Sequence, residues 1–260
     1  MIAFFALVIA FIVPIVAQQW TLLPGETASS VDAIGDRVWI VNTSGFFARW
    51  INGRWDKSIG GRGFQISEGI DGVLWSLVAE GPSPDKCLFR KYSILRRTST
   101  SWAPFPNPPS EEVVSIAGDI MMHNVMRAVT LTGKIYRYRG NEGWSQMTGS
   151  AYSIAGWGLS TWIIGRDQKL YRYDMDRSTG YTTSAWFQKP GNNPVEIAAS
   201  FDKGDRAVML NGAGEIFAWK DDNWVKIAFN GAATDIAIGG DKIYAVKKDT
   251  GQVFSTTFYP

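Results

Sequence analysis

The chain has 260 residues, 45% hydrophobic and 19% charged, a balance that suits one large globular domain or two small ones. Its 26 Lys+Arg against 24 Asp+Glu leave a net charge of +2, without the basic excess of an electrostatic nucleic-acid binder. One histidine, His123, excludes poly-His zinc sites, and one cysteine, Cys87, excludes an internal disulfide and CxxC chemistry.

Met1 to Ala17 is apolar apart from Pro14 and carries no charge, and it falls short of the roughly 20 residues that span a bilayer. It reads as a cleaved signal peptide (1–17) with Ala17 before the cut, so the expectation is a secreted, extracellular protein with no membrane span. Export leaves Cys87 unpaired and therefore expected to be buried. Asn42-Thr43-Ser44 becomes a glycosylation acceptor in a surface turn.

From residue 18 onward the chain repeats. A Trp followed by a short apolar stretch recurs at Trp20, Trp55, Trp102, Trp144, Trp186 and Trp224, with gaps of 35, 47, 42, 42 and 38 residues. A period near 40 signals a solenoid, propeller or array. Each unit continues with a loop, a small-apolar strand (Ile116-Ala117-Gly118, Ile154-Ala155-Gly156, Ile236 to Gly239), and a second strand such as Val38 to Val41 or Thr161 to Ile164. A turn then leads into a third strand, clearest at Gly45 to Trp50, Gly133 to Tyr138 and Gly214 to Trp219, with Cys87 to Lys91 as the copy in unit two. Glycine suits the positive φ of the turn, and β-branched and aromatic residues suit the strand.

Four short strands per unit predict an all-β fold, a six-bladed β-propeller of four-stranded antiparallel blades spanning 18–260. The last unit lacks a Trp strand and the first begins with one, Trp20 to Leu23. Pairing the N-terminal strand with the last blade would close the ring and cover two sheet edges.

Trp20-x-x-Leu23-Pro24-Gly25, then Val38-Trp39-Ile40-Val41-Asn42, Gly45 to Trp50 and Asn52-Gly53 resemble the tectonin repeat, and the resemblance extends over nearly all of 18–260. Membership of the tectonin-repeat β-propeller lectin family implies a secreted lectin that binds lipopolysaccharide or related microbial glycans, or O-methylated sugars, in innate defence. Intracellular relatives imply the alternative, a protein-interaction scaffold.

Catalysis finds no footing. Asp71, Asp119, Asp167, Asp202, Asp241 and Asp249 fall mainly at Gly-rich turns, where Asp bonds its own backbone, rather than as a facing glycosidase pair. His123 has no nucleophile motif beside it. No enzyme activity, cofactor or metal is expected. For glycan or glycolipid binding, the candidates are the turn residues Asn42 and Asn211, and the third-strand register Arg49-Trp50, Arg137-Tyr138 and Arg172-Tyr173, with Trp157 and Trp219 as apolar walls for a sugar face. Inter-blade packing is the competing role for these aromatics, and a salt bridge for the arginines. A basic run, Lys86, Arg90, Lys91, Arg96 and Arg97, is a further candidate for glycolipid phosphates. Copies around a ring would act together through avidity.

Overall fold

A computed structural model describes residues 18–69, 71–79, 92–98, 100–109, 111–118, 125–157, 160–174, 185–200 and 206–258. The leader assigned to 1–17, Cys87, Arg90 and His123 lie outside them. The strands are β1 (Thr21–Ile34), β2 (Arg37–Asn42), β3 (Phe47–Ile51), β4 (Arg54–Asp56), β5 (Gln65–Glu68), β6 (Leu74–Ala79), β7 (Tyr92–Thr98) and β8 (Ser101–Phe105). They continue as β9 (Val113–Gly118), β10 (Val125–Thr130), β11 (Ile135–Arg139), β12 (Gly143–Met147), β13 (Ala151–Trp157), β14 (Ser160–Gly165), β15 (Leu170–Asp174) and β16 (Phe187–Lys189). The last are β17 (Pro194–Ser200), β18 (Arg206–Asn211), β19 (Ile216–Lys220), β20 (Asn223–Ile227), β21 (Ala233–Gly239), β22 (Lys242–Lys247) and β23 (Gln252–Thr257).

The architecture is an all-β propeller with antiparallel four-stranded blades. β5–β8, β9–β12, β13–β16 and β17–β20 each form one, and the remaining strands join in a seven-stranded sheet ordered β21-β22-β23-β1-β2-β3-β4. β1 serves both halves of that sheet: Thr21, Leu22 and Leu23 pair with Ser255, Phe254 and Val253 of β23, and Ala28 to Ile34 pair with β2. The first strands pack side by side, β1 on β5, β5 on β9, β9 on β13, β13 on β17, β17 on β21 and β21 on β1. Crowding at this axis explains the Ile-Ala-Gly pattern. A Cβ on Gly118 would lie 2.7 Å from the Glu68 carbonyl oxygen, and one on Gly239 would lie 2.7 Å from that of Gly35.

Five of the six repeated tryptophans, at or beside the outer strands, tie a blade to the loop that enters it. Trp102 Nε1 donates to the Gly60 carbonyl (3.0 Å), Trp144 to Pro106 (2.9 Å), Trp186 to Thr148 (2.7 Å), Trp224 to Pro190 (2.6 Å) and Trp20 to Ala228 (2.6 Å). Each acceptor lies in the loop that enters the same blade. Trp55 keeps the ring position, but its buried Nε1 has no hydrogen-bond partner among the described residues.

The turn glycines tie neighbouring blades through their carbonyls. Gly63 N donates to Gly45 O, Ala151 N to Gly133 O, Ala233 N to Gly214 O and Ala28 N to Gly251 O, at 2.7 to 2.9 Å. Gly133 and Gly214 have φ of 90° and 78°, and a Cβ on Gly214 would approach Ala232 Cβ to 2.6 Å. Both conditions call for glycine.

One element departs from expectation. The third strand of the second blade is Tyr92–Thr98, which pairs with β6 and β8, whereas the copy expected at Cys87 to Lys91 lies outside the described residues. The pairing identifies it: Arg96 stands opposite Trp75 as Arg49 stands opposite Trp39.

Candidate ligand-binding face

The loops entering each blade and the turns between second and third strands share one face. There, Thr43 N donates to Thr27 O, Leu131 N to Glu112 O, Arg166 N to Ser150 O, Gly212 N to Asn193 O and Lys248 N to Ala232 O. This repeated bond fixes the face as a rigid platform, on which binding groups lose little freedom when a ligand arrives.

The ten sequence candidates do not converge on it. Asn42 and Asn211 sit at the face but are spent on their own turns. Asn42 Oδ1 accepts from Ser44 N and Phe46 N, Asn211 Oδ1 accepts from Ala213 N and Glu215 N, and their Nδ2 groups donate to Glu26 and Glu215. Arg49, Trp50, Arg137, Tyr138, Arg172, Tyr173 and Trp219 lie toward the other end of the third strands, where these run into the fourth. Arg49 and Arg172 stand over Trp39 and Trp162 of the adjacent strand, at 5.3 and 5.7 Å from the ring centroids, and Arg96 stands likewise over Trp75. The shared register is thus a cation–π contact within the blade. In the third blade Arg137 pairs with Arg127 instead, and both are buried. Trp50 packs edge-on to Trp55, Tyr138 on Phe105 and Trp144, Tyr173 on Trp186, and Trp219 on Trp162 and Trp224. The Trp157 side chain is outside the described set.

The loop face instead carries a recurring pair that the sequence did not announce. On this face Lys57 Nζ meets Glu26 (2.5 Å), Lys134 meets Glu111, Lys169 meets Asp167 (3.8 Å), Lys226 meets Glu215 (2.5 Å) and Lys247 meets Asp249 (3.7 Å). Hydrogen bonds from Lys134 and Thr132 pull Glu111 down to about 2. Those from Lys226 and Asn211 hold Glu215 below its usual value. Burial raises Glu26, but the bonds from Lys57 and Asn42 outweigh it and leave it low. Glu26, Glu111 and Glu215 are therefore ionised at neutral pH, each an acceptor beside a donor.

In the blade β13–β16 this arrangement opens into a cleft of about 320 Å³ lined by Gly149, Ser150, Ile163, Arg166, Tyr171 and Trp186, with Asp167 at its edge. The Tyr171 hydroxyl donates to Asp167 Oδ2 (2.6 Å), which lowers the Asp167 pKa, and Arg166 donates to the Leu131 carbonyl. An apolar wall edged by a few fixed polar groups is the usual form of a small-ligand site.

At the axis the same face opens into a funnel of about 750 Å³ lined by the first-strand ends. Beneath it three carboxyl groups approach one another. Asp32 is raised to about 7, chiefly by burial and further by the charges of Glu68 and Asp235. Glu196 and Asp235 are also raised chiefly by burial, Glu196 further by the charge of Asp235. Among the described residues no group of His, Cys, Asp and Glu is arranged to hold a metal ion, and no helix is long and apolar enough to cross a membrane.

No family model matches the chain, and no curated protein matches it by sequence. Solved structures define the class, a β-propeller. The WD40 repeats of RRP9 match with a TM-score of 0.62 at 11% identity, over 94% of this chain and 98% of that one. The Cps50 (Swd1) β-propeller domain of Myceliophteria thermophila matches with 0.62 at 10% identity, over 92% and 98%. The fungal lectin of Aleuria aurantia, described as a six-bladed β-propeller with a novel fucose recognition mode, matches with 0.53 at 14% identity, over 85% and 89%.

Proposed function

We propose that this protein is a secreted, non-enzymatic lectin of the tectonin-repeat type, binding microbial surface glycans such as lipopolysaccharide or O-methylated sugars. The observation that carries the reading is the recurrence of an acid–lysine pair on the loop face, with the pair of Asp167 and Lys169 at the cleft walled by Trp186. Each pair offers a sugar an acceptor and a donor for neighbouring hydroxyls, and at Asp167 the Trp186 ring adds an aromatic wall for its C–H face. Likeness in fold to a fucose-recognising propeller is compatible with this use of the scaffold.

We further propose that the seven-stranded sheet is two blades sharing β1, which makes six blades in a closed ring. Its support is that Ala28 N to Gly251 O repeats, across that junction, the bond that ties the other blades, and that Trp20 Nε1 to Ala228 O gives the β21–β23 half the tryptophan bond of the other blades. A ring of weak sites gains avidity of about 10²- to 10⁴-fold on a repetitive surface.

The test is a glycan array and a lipopolysaccharide panel probed with the purified protein and competed with free sugar. Binding that the free sugar displaces, and that falls with Asp167→Asn, supports the lectin. Silence of a folded protein on every surface sinks it. A scaffold is the alternative, and the apolar rim of the axial funnel is the feature that favours it.

A further inference from the structure

The axial funnel is separate from the peripheral pairs, and the glycan reading does not use it. Its rim is apolar: Phe64 is 44%, Leu131 56% and Val195 42% exposed, each from a different part of the ring. Large apolar side chains gathered around one opening mark an interaction site rather than scattered surface residues. The wall beneath them is acidic. Asp235 Oδ2 accepts from Val31 N at 3.2 Å, while among the described residues its Oδ1 has no hydrogen-bond donor, in a residue only 8% exposed. Glu196 faces it from the neighbouring first strand. No lysine or arginine is among the residues described as lining the funnel.

A buried carboxylate oxygen without a donor is costly, and an ammonium or guanidinium group reaching it would relieve that cost. The rim selects what carries the cation. A free polyamine has nothing to cover Phe64, Leu131 and Val195, whereas a peptide with apolar residues beside the cation covers them and removes that surface from water. We infer that the funnel binds an extended peptide segment, inserting one lysine or arginine side chain between Glu196 and Asp235 with apolar neighbours seated on the rim.

The probe is an arrayed library of seven-residue peptides with Lys, Arg, norleucine or Glu at the centre and apolar or polar flanks, read against the full-length protein. Lys- or Arg-centred peptides with apolar flanks are expected to bind at least 10-fold more tightly than their norleucine or Glu counterparts. Because that comparison changes only the peptide, it does not depend on any variant folding. In the protein, Glu196→Gln with Asp235→Asn should remove the preference for the cation. Leu131→Ser, at an exposed position, should remove the preference for apolar flanks. Glycan binding should be unchanged in both, which separates this test from that of the lectin reading. Equal binding of norleucine and Lys peptides, tighter binding of spermidine than of any peptide, or no peptide bound by a folded protein would each overturn the inference.

Discussion

Two residue-scale features carry sharp predictions. Gly214 combines a φ of 78° with a would-be Cβ 2.6 Å from Ala232 Cβ, whereas Gly53 has the same φ of 78° and open space around it. Gly53→Ala should therefore cost only the backbone strain, about 1 kcal/mol. Gly214→Ala should cost about 2–3 kcal/mol, the clash adding to the strain. Urea denaturation decides it, and equal losses would mean that close approach is not why the turn glycine recurs. The axial carboxyls set a pH dependence. Asp32, Glu196 and Asp235 bind protons more tightly folded than unfolded, so their contribution to stability is full below the ordinary carboxylate range, near 4. It is lost as pH rises, for Asp32 between about 4 and about 7. Glu111 and Asp167 are shifted the other way and act only at pH values below about 4. The urea midpoint should thus decline between pH 4.5 and 7.5, and Asp32→Asn or Glu196→Gln should flatten the decline. A midpoint that rises over this window in all three proteins would contradict the assignment.

At the scale of the element, the outer-strand tryptophans do two jobs that can be separated. Trp102 both packs on Phe47 and donates to Gly60, whereas Trp55 packs on Trp50 and its indole N–H has no partner among the described residues. Trp102→Phe should cost about 1 kcal/mol more than Trp55→Phe, the net worth of one hydrogen bond. Matching melting curves for the two variants would show that the tie adds nothing to packing. The Trp repeat was legible in the sequence because every blade places that residue at the same strand position against the same kind of loop. The third strand was legible where a glycine turn precedes it and illegible in the second blade. Cys87 to Lys91 imitates its pattern, whereas Tyr92–Thr98 lacks the leading glycine. Strand alternation puts Arg49, Arg137 and Arg172 at one register, pointing one way. The missing fact was that this way leads onto Trp39, Trp75 and Trp162. Alternation along a strand gives a face, not what the face meets. The acid–lysine pairs escaped notice because several of them join different segments of the unit, as Glu26 with Lys57 and Glu111 with Lys134.

At the scale of the whole molecule, like blades repeat around one axis. If β1 closes the ring, deleting residues 18–24 removes both the strand paired with β23 and the Trp20 tie. The melting temperature should then fall by about 10 °C or more, the loss of several kcal/mol in a chain of this size. A truncated protein melting within a degree of the parent would refute closure. Repetition is also what gives weak sites their joint strength, because each additional engagement occurs at high effective concentration. The measurement that bears most directly on this is surface binding against an immobilised glycan hit, for the protein and for variants that neutralise one, two and three of Glu26, Asp167 and Glu215 as their amides. The account predicts a stepwise fall in avidity of about 10-fold or more per pair, with the affinity of the remaining sites for the free monosaccharide unchanged. Avidity that is untouched by all three substitutions, or abolished by the first alone, would contradict a ring of like sites.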